Sequence, residues 1–265
     1  MIELRNVSKA FGSKEILKEV SFRIDDGETF VVLGQSGSGK SVTLKHMIGL
    51  LKPDSGEVFV DGVDVNTISY GELRELRHNF GVLFQGGALF DSMTAADNVA
   101  FPLRMLRDIP EADVHERVAK CLEMVELPDA GEKHVAELSG GMQKRVALAR
   151  AIALEPKYIF YDEPNSGLDP LTSHTINLLI TSLADKLGVT SVVITHDIRA
   201  ALDIADRIAF LHGGRIHWIG TVDDLHAATD PVLLDFVKAS EYQIGPSRTD
   251  SSSGASFAPT TYPDR

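Results

Sequence analysis

The sequence predicts an α/β fold with a parallel-sheet core, an antiparallel β subdomain at the N-terminus and an inserted helical subdomain. Strand-like segments dominate the first sixty residues, helical patterns fill residues 110–154, and buried strand patterns return after Pro156. A βαβ alternation that is interrupted by a helical block is typical of a parallel sheet with an inserted subdomain.

The N-terminal strands alternate apolar and polar side chains. The clearest are residues 2–4, 20–24 and 58–60, and Asp-Gly turns follow the second and third of them. Residues 30–33 form a continuous apolar run instead, which fits a strand that is buried on both faces of a parallel sheet. Helical spacing of apolar residues then covers residues 41–51.

The C-terminal half repeats the alternation of strand and helix. The segments YIFYD and SVVITH read as buried strands, and the helical stretch 174–187 separates them. Residues 208–220 predict a hairpin that turns at Gly213 and Gly214. From residue 245 the chain is rich in Ser, Thr and Pro and has no periodicity.

Composition limits the classes of function. The net charge is -12 and the pI is about 5.2, which disfavours nucleic acid as a partner because no basic stripe is visible. Cys121 is the only cysteine, so no internal disulfide can form, and we expect it to be a small buried residue. There is no signal-like N-terminus and no run of roughly 20 apolar residues. We expect a soluble chain that depends on other polypeptides for any membrane span.

A glycine-rich loop, GQSGSGKS, connects the buried strand 30–33 to the helical segment that follows. Its spacing matches the phosphate-binding pattern G-x-x-x-x-G-K-[ST], in which backbone N–H groups surround the phosphates, Lys40 reaches the β and γ oxygens and Ser41 ligates Mg²⁺. The sequence therefore predicts a nucleotide-binding loop of the P-loop NTPase type. The predicted nucleotide-binding residues here are Gly34, Gln35, Ser36, Gly37, Ser38, Gly39, Lys40, Ser41 and Val42.

Two carboxylates end the strand YIFYD. Asp162 suits Mg²⁺, which it would hold through water, and Glu163 lies one residue past the predicted strand, where it can orient an attacking water. Adjacent acids at a strand end are usually a solvated turn, but a phosphate loop upstream favours catalysis.

A second glycine-rich turn, LSGGM, opens a helix at Ser139, Gly140 and Gly141. Free N–H groups at a helix N-terminus, together with a serine hydroxyl, form another anion site. Because one nucleotide does not need two such sites, we expect the second site to serve the nucleotide of a partner molecule.

Residues 1–240 resemble the ABC-type ATPases. LSGGM resembles the family signature LSGGQ, and NSGLDP resembles its D-loop, with Asn165 where Thr or Ser is frequent. Gln85 matches the Q-loop glutamine, His196 the switch histidine, and Phe11 the aromatic that stacks on adenine.

The resemblance implies a RecA-like core in which two subunits sandwich two ATP molecules head to tail. Glu163 would polarise the water, and His196 would contact the γ-phosphate. Gln85 would contact both Mg²⁺ and the mobile interface with the part of the transporter that carries the cargo. Ser41 and Asp162 would complete the metal site, and the D-loop Asp169 would join the nucleotide site. The helical subdomain would be inserted at about residues 86–155, and residues 241–265 would form a polar tail.

Three kinds of ABC ATPase remain open. Relatives in DNA repair or chromosome organisation carry long coiled coils or zinc modules, whereas Ser139 lies only 99 positions after Lys40 here. Translation-associated relatives hold two such domains in one chain. The expected class is a transporter ATPase, peripheral on the cytoplasmic face of the inner membrane, that meets integral-membrane permease subunits through residues 86–104.

The permease-facing stretch FQGGALFDSMTAADNVAFPLR resembles the Mla-type, Mce-associated ATPases of bacterial phospholipid and solvent-tolerance systems, as do LSGGM and ARAIALEP. Amino-acid or ion importers and lipoprotein-release ATPases are the alternatives. The tail composition is typical of disorder. Alternatively, Tyr242, Phe257 and Tyr262 would anchor the tail on the second copy or on a small accessory protein.

Overall fold

Two β-sheets form the framework of the molecule, for which the computed structural model describes residues 1–240. The C-terminal tail, residues 241–265, lies outside the described residues. The strands in chain order are β1 (Ile2–Phe11), β2 (Lys14–Ile24), β3 (Thr29–Leu33), β4 (Ser55–Val60), β5 (Val63–Asp64), β6 (Phe80–Leu83), β7 (Tyr158–Asp162), β8 (Thr190–Thr195), β9 (Arg207–His212) and β10 (Arg215–Thr221).

The smaller sheet is antiparallel and has the order β2-β1-β4-β5. Ile2 of β1 lies opposite Ile24 on one side and Val60 on the other, and all three side chains are fully buried. Such cross-strand rows of apolar side chains set the register, because a slip by one residue would expose the row. The predicted antiparallel subdomain is confirmed.

The larger sheet has the order β10-β9-β3-β8-β7-β6, and all its strands except β10 run parallel. Every residue of β3, β7 and β8 is buried, which explains the apolar runs FVVL, YIFY and VVI within these strands. The carboxyl ends of parallel strands meet at one edge of a sheet, and ligands of open α/β sheets bind there. Gly34, Gln85, Glu163 and His196 all follow strands at this edge.

Helices pack against the larger sheet or belong to the inserted helical part. They are α1 (Lys40–Met47), α2 (Tyr70–Arg77), α3 (Ala95–Leu106), α4 (Glu111–Met124), α5 (Gly140–Ile152), α6 (Pro170–Leu187), α7 (Ile198–Ile204), α8 (Val222–His226) and α9 (Pro231–Ala239). The inserted helical part comprises α3, α4 and α5, which pack against one another.

The insertion holds one helix that the sequence pattern did not predict. Helix α3 continues to Leu106 although Pro102 lies inside it, where a proline costs about 3 kcal/mol. Val99 and Leu103 are buried in the core, and their burial keeps the helix intact. In α4, Cys121 is fully buried as predicted, and burial raises the pKa of its thiol to about 11.

The core has two parts, one on each face of the larger sheet. Side chains of β3 alternate between them: Val31 and Leu33 join the cluster under the helices, whereas Phe30 and Val32 join the cluster between the two sheets. The predicted α/β fold is therefore confirmed. Within residues 1–240, no helix combines the length and apolar character needed to cross a bilayer.

Candidate functional site

The phosphate loop leaves β3 at Gly34 and enters α1 at Lys40, so it joins a buried strand to a helix N-terminus as the motif requires. Gly37 and Gly39 have φ values of 78° and 109°, which glycine adopts readily. A Cβ on Gly34 would lie 2.4 Å from the Leu211 carbonyl oxygen, so only glycine fits there.

The loop encloses polar groups that suit an anion. The Lys40 ammonium donates to the carbonyls of Gly34 and Gln35 at 2.9 and 3.1 Å, and it is almost completely buried. The Ser38 hydroxyl is buried and makes no hydrogen bond within residues 1–240. A buried polar atom without a partner is rare in proteins. Because phosphate oxygens would satisfy both groups, the residues present fit a nucleotide.

The predicted metal ligands lie side by side. The Ser41 hydroxyl donates to Oδ1 of Asp162 at 3.1 Å, at the point where β7 ends. Burial raises the pKa of Asp162, and the hydrogen bond from Ser41 partly opposes that shift. Hydroxyl and carboxylate oxygens are the ligands that Mg²⁺ prefers, so this donor set fits the ion. Mg²⁺ would supply charge neutralisation of the phosphates.

Glu163 follows directly and connects two other predicted residues. Its Oε1 lies 3.2 Å from the Lys40 ammonium, and its Oε2 lies 2.8 Å from Nδ1 of His196, which follows β8. The Glu163 side chain is only 12% exposed, whereas His196 is mostly exposed. Glu163 has a φ of 48°, an uncommon left-handed conformation for a residue other than glycine. The structure thus brings Lys40, Ser41, Asp162, Glu163 and His196 together.

Gln85 lies two residues beyond the end of β6. Its side-chain Nε2 donates to the Ser166 hydroxyl at 3.2 Å. Gln85 therefore contacts the loop that follows Glu163. Its predicted role at Mg²⁺ stays a prediction.

Ser139 caps α5 rather than joining this group. Its hydroxyl accepts from the Met142 amide at 3.3 Å. Gly140 and Gly141 form the first turn, and a Cβ on Gly141 would lie 2.5 Å from Cγ2 of Thr172. Asp169 caps α6 in a similar way, and its hydrogen bonds with Thr172 hold the pKa of its carboxyl below the usual range. The roles of Ser139 and Asp169 toward a nucleotide stay predictions.

Phe11 ends β1, and 52% of its surface is exposed. The Lys9 ammonium lies 5.7 Å from the centroid of its ring, which is a cation–π contact. The exposed part of the ring is accessible to a planar ligand.

An amide relay explains the unusual Asn165, which the sequence did not. Asn165 donates to Oδ1 of Asn177 at 2.8 Å, and the buried Asn177 donates to Asp203 of α7 at 3.2 Å. A threonine or serine at position 165 has no amide to offer Asn177. The relay joins the loop after Glu163 to the helix after His196, and no local sequence pattern indicates it.

Taken together, a phosphate loop on a parallel sheet, a magnesium-type donor pair and a carboxylate beside a histidine define a P-loop nucleoside triphosphatase. The model of the ABC transporter family matches residues 17–166. The chain belongs to the ABC transporter family and is an ATPase, the ATP-binding subunit of an ABC transporter. Proteins of this family bind ATP, typically with Mg²⁺.

Relatives whose names describe a transport function agree with this class. The chain is 40% identical over 245 residues to the probable ribonucleotide transport ATP-binding protein mkl of Mycobacterium leprae, covering 92% of this chain and 70% of that protein. It is 42% identical to the methionine import ATP-binding protein MetN of Carboxydothermus hydrogenoformans, covering 89% and 71%. The sulfate/thiosulfate import ATP-binding protein CysA of Thermosynechococcus vestitus is 40% identical, over 89% and 69%.

Solved structures extend the likeness to a dimer. The ATP-binding cassette MJ0796, described as a dimer bound to ADP and Pi, is 36% identical and superposes with a TM-score of 0.77, covering 84% of this chain and 99% of that one. A second dimeric structure of MJ0796 gives the same values. The likeness supports a dimer of this chain.

Proposed function

We propose that this ATPase powers a transporter that moves phospholipid and so maintains the lipid asymmetry of a bacterial outer membrane. The observation that carries the proposal is the sequence of residues 83–104, which resembles the Mla-type, Mce-associated ATPases. This segment supplies the surface that we expect the membrane subunit to contact, so a likeness here reports on the partner rather than on ATP chemistry.

The conformation of the segment is consistent with a docking surface. Phe90 and Phe101 lie in contact, with ring centroids 4.6 Å apart, and Phe90 is 40% exposed. Beside them, a cavity of about 270 Å³ is lined by Met93, Asp97, Phe101, Arg104 and Met105. Exposed apolar side chains that surround a cavity are typical of a protein contact. This surface therefore supports a permease contact.

A second candidate function is the import of a small solute. It is favoured by the names of the relatives, which describe methionine import, sulfate import and ribonucleotide transport. Lipoprotein release is a further alternative. The nucleotide chemistry is the same in all of them, because the cargo contacts the membrane subunits.

Within the ATPase itself, we propose the following roles. Glu163 orients and deprotonates the attacking water, and His196 holds that carboxylate in place while it contacts the γ-phosphate. Lys40 and the loop amides bind the phosphates, and Phe11 stacks on the base. Ser139 and the two glycines after it, together with Asp169, complete the site of the second copy, so each site needs both chains.

For the remaining partners, we propose that the permease holds this chain at the cytoplasmic face of the inner membrane. We also propose that residues 241–265 contact the second copy or an accessory protein. Truncation after Gln243 should then lower the yield of the assembled complex without changing the ATPase rate per complex. A truncated chain that assembles as well as the full chain would contradict the tail proposal.

The cargo is tested by purifying the complex from its native membranes and identifying its membrane subunits and bound lipids by mass spectrometry. Phospholipid transfer between labelled vesicles and acceptor vesicles is then measured with the wild-type complex and with Glu163→Gln as the inactive control. ATP-dependent transfer supports the phospholipid proposal. Stimulation of ATPase activity by methionine, sulfate or a ribonucleotide, without lipid transfer, would favour the importer instead.

A further inference from the structure

Helix α5 carries two cationic side chains that end on backbone carbonyls of residues 85–88, which we call the clamped loop. The Lys144 ammonium donates to the carbonyl of Gln85. The Arg150 guanidinium donates to the carbonyls of Gly87 and Ala88, each at 2.7 Å. Three carbonyls of a four-residue loop are thus held by one helix.

Burial differs along the clamp: the contacts of Lys144 with Gln85 and of Arg150 with Gly87 are partly buried, whereas the bond from Arg150 to the Ala88 carbonyl is exposed. Lys144 is only 7% exposed, and burial lowers the pKa of both Lys144 and Arg150. A buried cation is costly unless hydrogen bonds compensate it, and hydrogen bonds to charged groups are stronger than neutral ones. The loop carbonyls supply that compensation, so the loop and α5 hold each other in position.

The backbone of the clamped loop needs such support. Gly87 and Ala88 have φ values of 72° and 49°, so two consecutive residues are left-handed and one of them is not glycine. Backbone in sparsely populated conformations persists only where the surroundings determine it. The guanidinium of Arg150 bonds the carbonyls of these two residues, and a Cβ on Gly87 would lie 3.6 Å from Ala147 of the same helix.

The clamp joins parts of the chain with different predicted partners. Helix α5 begins after Ser139, which we place at the nucleotide of the second copy. The clamped loop begins with Gln85, whose side chain contacts Ser166 beside our proposed hydrolysis site. It leads into Phe90, on the surface where we place the membrane subunit.

We propose that Lys144 and Arg150 are positioning residues that make α5 and the clamped loop one rigid unit, so that displacement of the permease-facing surface moves Ser139. This inference rests on the proposed roles of Gln85 and Ser139. Lys144 and Arg150 touch no reacting atom. The effect of Arg150 passes through the loop and the helix. The Lys144 ammonium also interacts electrostatically with Asp162 and Glu163, so Arg150→Met is the decisive variant for the coupling.

The test compares five variants in the full-length complex purified from membranes. Lys144→Met and Arg150→Met remove the clamp, and Arg150→Lys keeps the charge but loses the two-pronged geometry. Arg117→Met is a matched control, because Arg117 donates in the same way to the carbonyls of Ile152 and Ala153, away from the loop. Arg145→Met controls for loss of charge on α5 itself.

Two quantities are measured: amide hydrogen exchange over residues 85–94, and kcat and KM for ATP hydrolysis. Lys144→Met and Arg150→Met should speed exchange and lower kcat on the order of tenfold each, while KM stays within about twofold. Arg150→Lys should give intermediate values. Arg117→Met and Arg145→Met should match the wild type in both measurements, whatever they do to the melting temperature.

Equal loop exchange in Arg150→Met and Arg117→Met would overturn the clamp. Faster exchange with unchanged kcat would overturn the coupling to Ser139. Ser139→Arg and Gln85→Ala, assayed alongside, separate the inference from the site roles on which it rests. Wild-type turnover in Ser139→Arg and Gln85→Ala would overturn both the site roles and the coupling. If these two variants lose turnover while Lys144→Met and Arg150→Met keep it, only the clamp is overturned.

Discussion

Replacing Glu163 by glutamine removes one negative charge at the proposed hydrolysis site and little else. Gln has the same length, and its amide oxygen can still accept from the Lys40 ammonium, which lies 3.2 Å from the carboxylate. The left-handed backbone at position 163 imposes about the same conformational strain on Glu and on Gln, because neither residue is glycine. The variant therefore isolates the charge from the geometry.

The expected loss of turnover follows from the role of the carboxylate. General-base catalysis contributes about 10²–10⁴-fold, and an amide cannot take a proton, so kcat should fall by about two orders of magnitude or more. The phosphate loop is unchanged, so KM should stay within a few-fold. Loss of a charged partner for the buried Lys40 should lower the free energy of unfolding by about 1–3 kcal/mol. For a chain of this size, that lowers the melting temperature by about 2–5 °C.

Phosphate release and ATP binding are measured on the same preparation, with circular dichroism to verify folding. Glu163→Asp is the matched control, because it keeps the charge but withdraws the carboxylate from both Lys40 and His196. It should bind ATP like Glu163→Gln and retain more turnover. If Glu163→Gln hydrolyses ATP at close to the wild-type rate, Glu163 is not the general base.

Three further predictions use other parts of the molecule. In a mixed dimer with Lys40→Ala in one chain and Ser139→Arg in the other, one composite site should be damaged and the other should stay intact. In a tethered dimer with both changes in the same chain, both sites should be damaged. Identical ATP binding in the two arrangements would contradict the shared site. Burial alone would raise the pKa of Asp61, but hydrogen bonds from groups that include Lys157 lower it to about 2. The contribution of Asp61 to the free energy of unfolding is therefore present above about pH 4 and is lost as the pH falls through about 2. After discounting for partial exposure, Asp61→Asn should cost about 1 kcal/mol in urea unfolding at pH 7 and nothing near pH 2, and a pH-independent cost would refute the linkage. The Cys121 thiol, buried and with a raised pKa, should react with a thiol reagent at least about a thousandfold more slowly in the folded chain than in urea, and fast labelling of the native chain would show that α4 opens readily.

The parts of the site that the sequence predicted are those whose chemistry lies in consecutive residues. The phosphate loop needs particular residue types at fixed spacing, and a buried strand before it fixes its place in the fold. Asp162, Glu163 and His196 follow runs of apolar residues, and parallel strands bring their carboxyl ends to one edge. Topology therefore assembled residues that are far apart in the chain without any further signal.

Contacts to the backbone left no such trace. The acceptors for Lys144 and Arg150 are carbonyls, which every residue carries, so nothing in residues 85–88 identifies them as partners. The Asn165 relay joins residues on a loop and two helices, and only its departure from the family pattern was visible. Helix α3 lies before the helical pattern that begins near residue 110, and the proline inside it disfavours a helix by propensity, whereas tertiary burial decides the outcome.

The crowding at Gly141 decides which substitutions can report on a neighbouring molecule. An alanine there would collide with the Thr172 side chain at 2.5 Å, so a defect in Gly141→Ala would reflect the fit of α5 against α6 inside one chain. At Gly140 the nearest atom to an added Cβ belongs to Leu168 at 3.8 Å, an ordinary contact. A defect in Gly140→Ala would therefore originate outside the chain, which makes that glycine the informative probe of a second copy.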